Sequence, residues 1–267
     1  MPHTHRLEPG EDIRLSALTT DGREFESDRD SAAAEFIAMR DELADLQRRW
    51  YADGRRKFLI VLQAMDAGGK DGTIRKVFRG VNPQGVRVTS FKKPTDLELS
   101  HDFLWRIHRA APPKGMIGVF NRSHYEDVLV VRVDGLAPEE VWEARYEQIN
   151  QFEKLLSDTG TTIIKFYLHI SKAEQAERFQ SRLDEPDKHW KFSPDDLRKR
   201  AQWDDYMVAY EDLLNRCTTP WAPWYVIPAD RKWYRNLAIA RVLMHTLREL
   251  DPQYPSPIAE LDDYVIE

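Results

Sequence analysis

A glycine-rich segment with one lysine, Asp66-Ala67-Gly68-Gly69-Lys70-Asp71-Gly72-Thr73, has the residue types that bind phosphate. Glycines let the backbone approach an anion and point N–H groups at it, and Lys70 adds a full positive charge. The usual phosphate-binding (Walker A) loop reads G-x-x-x-x-G-K-[ST], but here Ala64 replaces the first glycine and Asp71 replaces the metal-binding hydroxyl. A tight turn with a solvated lysine is the alternative. Three glycines around Lys70 favour anion binding over that alternative.

Two carboxylates accompany this loop, and each has more than one candidate role. Asp66 lies four residues before Lys70. A carboxylate that faces a phosphate is repelled unless a cation bridges them, and Mg²⁺ prefers such oxygen ligands, with Mn²⁺ as a substitute. Asp66 is therefore a candidate metal ligand, although it could instead cap the next helix or pair with Lys70. Asp71 could bind the metal or cap the helix, and we favour the cap.

Arg122, Glu126 and Asp127 form a second set of residues suited to phosphate chemistry. They follow the apolar run 115–120, which predicts a buried strand. The guanidinium of Arg122 can donate two parallel N–H groups to phosphate oxygens. Glu126 and Asp127 could bind a metal, orient an accepting phosphate or cap the next helix. The sequence leaves these roles open.

Basic residues recur at the predicted carboxyl ends of strands and in later loops, although the whole chain is acidic. Lys92, Lys93 and Lys188 are among them and are candidate contacts to phosphate or nucleotide. The grouping indicates a focused track for a polyanion. The stretch 178–200, which contains Arg182, is the candidate for a mobile lid that closes over phosphates and excludes water.

Alternating strands and helices must position these residues. Buried apolar runs predict strands at 58–62, 86–91, 115–120, 161–170 and 224–228. Apolar spacing and capping signals predict helices at 31–52, 74–81, 95–110, 138–159, 171–183, 193–216 and 230–247. This order predicts an α/β fold with a mainly parallel five-stranded sheet and helices on both faces. Ligands bind at the carboxyl ends of the strands in such a sheet.

No repeat or linker divides the chain, so the sequence predicts one domain at 31–250. A polar segment at 1–30 is expected to lie over the surface, and a proline-containing tail at 251–267 to cross the surface or meet a partner subunit. The helical patterns turn Val141 and Leu197 inward, and the helix predicted at 95–110 carries Leu97. Asp230 is expected to cap the last helix, and Cys217 to be a small buried residue within a helix.

Composition indicates an ordinary globular protein and narrows its class. The chain has 267 residues, 42% hydrophobic and 31% charged, with a formal net charge of -6. That charge argues against a general nucleic-acid binder, which is usually basic. A single cysteine excludes an intramolecular disulfide framework and fits a reducing compartment. No signal peptide or membrane-spanning run is visible, so we expect a cytoplasmic protein.

With these residues in view, the sequence resembles the polyphosphate kinase 2 family. The resemblance covers about 36–250 and rests on ordered blocks: MDAGGKDGTI, GVNPQG, SFKKPTDLELSHDFLWR, GVFNRSHYEDVL, DEPDKHWKFSPDDL and TPWAPWYVIPAD. It is closest to the branch that accepts nucleoside monophosphates and diphosphates. One departure is Asn121, where many members carry aspartate. A neutral amide is a poorer magnesium ligand, so metal binding would lean on Asp66 and on Glu126 or Asp127.

The resemblance implies a three-layer α/β/α phosphate-loop kinase fold with a helical lid, assembled as dimers or tetramers. It implies a phosphotransferase: reversible, magnesium-dependent transfer from inorganic polyphosphate to AMP and ADP, which gives ADP and ATP. By matching position, Asp66 and Lys70 are the metal-linked carboxylate and the phosphate-binding lysine. Arg122 is the arginine after the third strand, and Arg182 is the arginine at the start of the lid.

Two other functions remain open on the sequence alone. One is an ATP-dependent nucleotide or small-molecule kinase of the same fold, which the abundance of basic residues disfavours. The other is a non-catalytic module that senses phosphate or nucleotide through a degenerate loop, which Ala64 and Asn121 support. Magnesium-dependent turnover with polyphosphate separates the three.

Overall fold

A five-stranded, wholly parallel sheet forms the centre of the protein in a computed structural model that describes residues 3–258. Its strand order is β2-β3-β1-β4-β5. The strands are β1 Lys57–Gln63, β2 Val86–Ser90, β3 Ile117–Asn121, β4 Thr161–His169 and β5 Trp224–Pro228. Nearly every residue of β1, β3, β4 and β5 is buried, as their unbroken apolar runs predict.

In the described part of the chain, ten α-helices connect and cover the strands. They are α1 Arg29–Asp53, α2 Lys70–Val77, α3 Asp96–Leu99, α4 Trp105–Ala110, α5 Val130–Val133, α6 Glu139–Asp158, α7 Lys172–Asp184, α8 Pro194–Ala201, α9 Trp203–Cys217 and α10 Lys232–Leu250. Short 3₁₀ helices lie at Leu15–Ala17, Gly22–Glu24, Pro83–Gly85, His124–Asp127 and Pro186–Lys191. No helix within residues 3–258 is both long and apolar enough to cross a bilayer.

Helices cover both faces of the sheet, which confirms the three-layer prediction. Trp50 of α1 packs against Phe58, and Glu153 of α6 binds Lys165, which is in register with Val61. Residues 58 and 61 of one strand point to opposite faces because side chains alternate. α1 packs along α10, which also contacts α2, whereas α5, α6 and α9 pack together. The sheet is therefore enclosed between two helical layers.

The carboxyl ends of β1 and β3 meet at the position that parallel pairing predicts. Leu62 is in register with Asn121, and the N–H of Arg122 donates to the carbonyl of Leu62 at 3.1 Å. On the other side of β1, Leu62 is in register with Phe166 of β4. The loops after β1 and β3 consequently lie side by side.

Two predicted helices are each broken in the structure. The prediction 95–110 becomes α3 and α4, because the carboxylate of Asp102 accepts the N–H of Leu104 and starts a new segment. The prediction 193–216 becomes α8 and α9, which meet at Gln202. Placing Leu197 and Val141 inward was wrong, since they are 50% and 40% exposed, and Leu97 of the other broken helix is exposed as well. An apolar pattern read across a break assigns the wrong face.

Asp230 does not cap the last helix. The N-cap position of α10 belongs to Arg231. The carboxylate of Asp230 instead accepts the N–H of Ser171 at 2.8 Å and the hydroxyl of Thr20 at 2.6 Å. Asp230 thus joins the start of α7 to the N-terminal segment, a role that its local sequence does not reveal.

The N-terminal segment is attached to the sheet more closely than its polar composition predicts. Leu7 donates its N–H to Trp224 O, and Val226 donates to His5 O, both at 2.9 Å. Leu7 is buried, as are Ile13 and Leu15 farther along the segment. Covering β5 in this way removes the free edge that a sheet otherwise exposes. Of the predicted tail, residues 259–267 lie outside the described part of the chain.

Candidate active site

A polar cleft with a volume of about 570 Å³ lies beyond the carboxyl ends of β1, β2 and β3. The phosphate loop and α2 form its floor, and residues after β2, after β3 and along α7 form its walls. Its lining comprises 66–72, Ser90, Phe91, Lys92, Asn121, Arg122, Glu174, Glu177, Arg178, Ser181, Arg182, Lys191 and Lys232. Sequence-distant segments therefore meet at one site, where the sheet topology predicts it.

The phosphate loop turns sharply into α2. Gly69 is the N-cap of α2 and has φ +104°, a conformation that favours glycine. Ala67 has φ 61° and also lies in the left-handed region. The hydrogen bond from Thr73 N–H to Gly69 O, 2.9 Å long, begins the helix. The expectation that Asp71 caps this helix is wrong: Asp71 lies in its first turn, and its side chain provides no cap.

Lys70 is folded over its own loop. Its Nζ donates to Ala64 O at 2.7 Å and to Met65 O at 3.4 Å, and the residue is 8% exposed. Burial, and after it the positive charge of Arg122, lowers the pKa of Lys70 to about 8. An anion in the cleft would restore the ordinary preference of Lys70 for the charged form.

Asp66 pairs with cations from other loops rather than with Lys70. Its carboxylate binds the guanidinium of Arg122 and lies 3.5 Å from the Nζ of Lys199 on α8. Burial alone would raise the pKa of Asp66, but the neighbouring cations, Arg122 first, hold it below its ordinary value. The carboxylate is consequently ionised at neutral pH and available as an oxygen ligand.

Arg122 joins two carboxylates at the edge of the cleft. Besides Asp66, its guanidinium binds Oε2 of Glu126 at 3.1 Å. The negative charge of Glu126 is the main reason why the pKa of Arg122 is raised above its ordinary value. The backbone of Arg122 has φ 61°, which is strained for a residue other than glycine and is held by the bond to Leu62. Arg122 is thus fixed beside the phosphate loop.

Asp127 lies away from the cleft, although it is adjacent to Glu126 in sequence. Its carboxylate binds Nη1 of Arg145 on α6 at 3.0 Å and is absent from the cleft lining. Burial raises the pKa of Asp127 to about 6. Glu126 borders the small space between Asp66 and Tyr210 behind Arg122. The structure brings Glu126 near Asp66 through Arg122, but it does not bring Asp127 there.

Asn121 and Asp71 form a direct pair across the cleft. The Nδ2 of Asn121 donates to Oδ1 of Asp71 at 2.6 Å. An aspartate at position 121 would place two carboxylates together and would repel Asp71 unless a cation bridged them. The amide therefore keeps Asp71 in place within the ligand-free cleft.

The remaining candidates fall into different places. Arg182 lines the cleft and binds Asp196 at 2.8 Å, and Lys92 lines both the cleft and an adjoining cavity of about 460 Å³. Lys93 borders only the adjoining cavity. Lys188 binds the hydroxyl of Ser181 at 2.9 Å and does not line the cleft. Thr73 is fully buried beneath the loop.

Arg178, Lys199 and Lys232 belong to the predicted basic track, but the sequence assigned them no individual role. Arg178 of α7 donates to Ala67 O at 2.9 Å, so it holds the phosphate loop directly. Lys199 reaches Asp66 from α8, and Lys232 enters from the start of α10. The spacing of Glu174, Arg178 and Ser181 along one face of α7 is the signal that could have found that wall.

Comparisons with known proteins agree with this geometry. The family model "Polyphosphate kinase 2 (PPK2)" matches residues 26–255. A protein of Meiothermus ruber named AMP/ADP-polyphosphate phosphotransferase is 51% identical over 98% of this chain and 99% of its own length. A Rhodopseudomonas palustris protein named ADP-polyphosphate phosphotransferase is 45% identical over 94% of this chain and 91% of its own.

A solved structure is also similar over nearly the whole chain. The crystal structure of polyphosphate kinase 2 from Arthrobacter aurescens TC1 superimposes with a TM-score of 0.93 at 42% sequence identity. The match covers 98% of this chain and 94% of that one. Sequence blocks, phosphate cleft, family match and tertiary structure agree, and the chain belongs to the polyphosphate kinase 2 family.

Proposed function

We propose that this protein transfers a terminal phosphoryl group from inorganic polyphosphate to AMP and to ADP, giving ADP and ATP reversibly. The observation that carries the proposal is the 51% identity, over almost all of both chains, to a protein named for both acceptors. The phosphate cleft gives independent chemical support. The Rhodopseudomonas palustris relative is named for ADP alone. Whether this protein accepts both AMP and ADP is therefore the first part of the proposal to test.

The charge of the cleft supports a polyanionic substrate. Seven cationic side chains line it against four carboxylates, although the whole chain has a net charge of -6. The cations are Lys70, Lys92, Arg122, Arg178, Arg182, Lys191 and Lys232. A concave surface with an excess of one sign concentrates ligands of the opposite sign. A single nucleotide needs fewer cations than this, which favours polyphosphate over an ATP-dependent kinase.

We assign the chemistry to positioning and charge neutralisation. The loop N–H groups and Lys70 hold the transferring phosphoryl group, and Arg122 and Arg182 offset the charge that moves to the leaving oxygen. A phosphate oxygen of the nucleotide is already anionic, so the in-line attack needs no strong general base. In the ligand-free protein Arg122 is occupied by Asp66 and Glu126. Substrate binding therefore exchanges carboxylate partners for phosphate.

The residues of the cleft fit a magnesium ion, which would neutralise phosphate charge during transfer. Asp66, Asp71 and the amide oxygen of Asn121 are hard oxygen donors that line one wall. Within residues 3–258 no cluster of three Asp, Glu, His or Cys side chains forms a complete metal cage. One or two carboxylates together with substrate phosphates is the usual protein environment of Mg²⁺. We propose Asp66 as the first magnesium ligand. Glu126 and Asp127 stay predicted ligands, and each would first have to break its ion pair with an arginine.

We also propose a lid and an assembly. The segment 178–200 includes the cleft residues Arg178, Arg182 and Lys191, and one of its ion pairs connects Arg198 to Asp134 across the surface. Opening of such pairs would let the segment close over bound phosphates and exclude water. The catalytic domain is 31–250, and we propose a cytoplasmic dimer or tetramer.

The test is incubation with Mg²⁺, long-chain polyphosphate and AMP, with ADP and ATP resolved by chromatography. We expect ADP first and ATP next, and we expect EDTA to abolish both. ADP alone would restrict the enzyme to AMP, and ATP formed only from added ADP would restrict it to diphosphates. Turnover of ATP with another acceptor, indifferent to digestion of polyphosphate, would replace the proposal with an ATP-dependent kinase. Binding without any turnover would indicate the sensing module.

The metal assignment is tested on two aspartates. Asp66→Asn keeps the size of the side chain and removes its charge, so kcat should fall by about 100-fold and the Mg²⁺ concentration for half-maximal rate should rise. Asp28→Asn is the control, because Asp28 caps α1 on the surface. An unchanged Mg²⁺ dependence in Asp66→Asn would contradict the ligand assignment.

A further inference from the structure

Arg235 is a buried cation that has no ion-pair partner among residues 3–258 and packs against the phosphate loop. It lies in the first turn of α10 and is 3% exposed. Its Nη1 occupies the space that a Cβ on Gly69 would need, and its Nη2 lies 3.6 Å from the corresponding point at Gly72. The guanidinium therefore packs against the loop backbone, and Arg235 is not among the residues that line the cleft.

The partners of Arg235 do not neutralise its charge. Nε and Nη2 donate only to the neutral Oδ1 of Asn236, at 3.3 and 3.0 Å. Within residues 3–258 no carboxylate forms an ion pair with Arg235, and Nη1 has no hydrogen-bond acceptor. The neighbouring Arg178 differs, because it binds Glu174 at 2.7 Å and the carbonyl of Ala229 at 2.6 Å. Two adjacent guanidinium groups thus share one local carboxylate.

The helix dipole of α10 makes the buried charge of Arg235 still more destabilising for the folded state. The first turn of α10 contains no acidic residue, whereas Lys232 and Arg235 place two cations at the positive end of the helix dipole. A buried charge that is neither paired nor solvated destabilises the folded state. Burial, and after it the charge of Arg178, lowers the pKa of Arg235 to about 9, and the negative charge of Glu174 offsets only part of this shift.

We propose that Arg235 is a positioning residue whose uncompensated charge sets the affinity of the phosphate loop for the polyphosphate chain, acting through the loop backbone. This inference rests on the proposed function. An anion bound to the loop N–H groups supplies the negative charge that no protein carboxylate within residues 3–258 provides to Arg235. The ligand-free protein is then less stable than it would be with a local carboxylate, and anion binding removes the difference.

Asn236→Asp gives the sharpest test, since it changes Oδ1 from a neutral to a charged acceptor with almost no change of shape. We expect the ligand-free variant to melt about 2–4 °C higher than the wild type. We expect the Kd for inorganic tripolyphosphate, measured by calorimetry without nucleotide, to rise about tenfold or more. A purely structural role predicts the higher melting temperature with unchanged affinity.

Two further variants keep the test decisive if that carboxylate perturbs folding. Arg235→Gln removes the charge and should weaken tripolyphosphate at least as much, whereas Arg235→Lys should stay within about threefold of the wild type. Arg241→Gln is the matched control on the same helix, because Arg241 pairs with Glu26 and Glu35; it should lower the melting temperature and leave Kd unchanged.

The outcomes separate this inference from the proposed function. A wild type that binds tripolyphosphate, with Kd values within twofold for Asn236→Asp and Arg235→Gln, overturns the role of Arg235 alone. A wild type that binds neither tripolyphosphate nor long-chain polyphosphate overturns both the donor class and this inference. Weaker binding in the two neutralised variants, retained binding in Arg235→Lys and an unaffected control support it.

Discussion

The turn after β3 contributes residues to two charged clusters, one of which borders the cleft while the other is fully enclosed by protein. The open cluster comprises Asp66, Lys70, Arg122, Glu126 and Lys199 around the phosphate cleft. The closed cluster comprises His124, Tyr125, Glu153 and Lys165 between the sheet and α6. In the turn after β3, Arg122 and Glu126 enter the open cluster, and His124 and Tyr125 enter the closed cluster. The comparison shows how access to solvent decides whether a buried charge serves stability or ligand binding.

The side chains of the closed cluster bind one another or the backbone, although the buried Nδ1 of His124 has no partner. Lys165 donates to Glu153 at 2.6 Å, to Tyr125 Oη at 2.7 Å and to Cys217 O at 2.8 Å. The other oxygen of Glu153 accepts the hydroxyl of Tyr125 at 2.8 Å, and Nε2 of His124 lies 3.1 Å from it. Burial would raise the pKa of Glu153, but Lys165 holds it below its ordinary value. The cluster fixes the turn that carries Arg122 and Glu126.

The charged groups of the open cluster have protein partners that a ligand can replace. Lys70 binds backbone carbonyls, and its pKa is lowered to about 8 by burial and by Arg122. Asp66 and Glu126 share the guanidinium of Arg122. These partners can be exchanged for phosphate and metal because the cluster borders the cleft. We therefore expect mutations in the closed cluster to change stability and mutations in the open cluster to change turnover.

The largest effect on stability should come from Glu153→Leu. It leaves Lys165 as an unpaired buried charge, so the free energy of unfolding should fall by about 3–5 kcal/mol in urea denaturation. Glu147→Leu makes the same change at an exposed position of α6 and should shift the free energy of unfolding by about 0.5 kcal/mol or less. Adding Lys165→Met to Glu153→Leu should recover part of the loss. If Glu153→Leu lowered the free energy of unfolding by less than about 1 kcal/mol, the closed cluster would not have the stabilising role that distinguishes it from the open cluster.

The next largest effect concerns Lys70. Lys70→Ala should lower kcat by about 100-fold or more, because it removes the charge nearest the transferring group. The free energy of unfolding should change by about 1 kcal/mol or less, since only bonds to two loop carbonyls are lost. Lys76→Ala, on the exposed side of the same helix, should keep wild-type turnover. Near-wild-type kcat in Lys70→Ala would contradict the assignment of the loop.

Lys70 also predicts a pH dependence. Its pKa of about 8 in the folded protein lies below its ordinary value of 10.5. The unfolded chain therefore binds more protons at this site between pH 8 and 10.5, and the contribution of Lys70 to the free energy of unfolding rises with pH across that window. Tripolyphosphate affinity should fall over the same range as the charge is lost. Lys70→Ala should lack both dependences when titrated beside the wild type, and identical profiles would refute the assignment.

The smallest effect on turnover should come from Asp127→Asn. Asp127 binds Arg145 outside the cleft, so kcat/KM should stay within about threefold of the wild type, with an unchanged Mg²⁺ dependence. Its pKa of about 6 lies above the ordinary 3.8, so its stabilising contribution falls as pH rises from about 4 to 6. The variant should lack this slope in urea denaturation. A large change in Mg²⁺ requirement would instead support Asp127 as a metal ligand.

Much of the fold was predictable because its signals are local. Apolar runs indicated β1, β3, β4 and β5, the mixed run 86–91 indicated β2, and glycines beside Lys70 indicated the anion-binding turn. The capping box of Thr95 and Glu98 is present with both hydrogen bonds. Helix faces near a break were not predictable, since Leu97 and Leu197 belong to short helices whose orientation depends on packing.

The site was predictable as a region but not as a set of contacts. The sequence by itself determined the strand–loop–helix order, the phosphate-binding character of residues 66–73 and the placement of Arg122 after β3, because each depends on neighbouring residues. Only the tertiary structure decided that Asp66 pairs with Arg122 and Lys199, that Asp127 turns away and that Arg235 packs against Gly69. Such partners are far apart along the chain. Their distances depend on how the helices pack on the sheet, which no local pattern encodes.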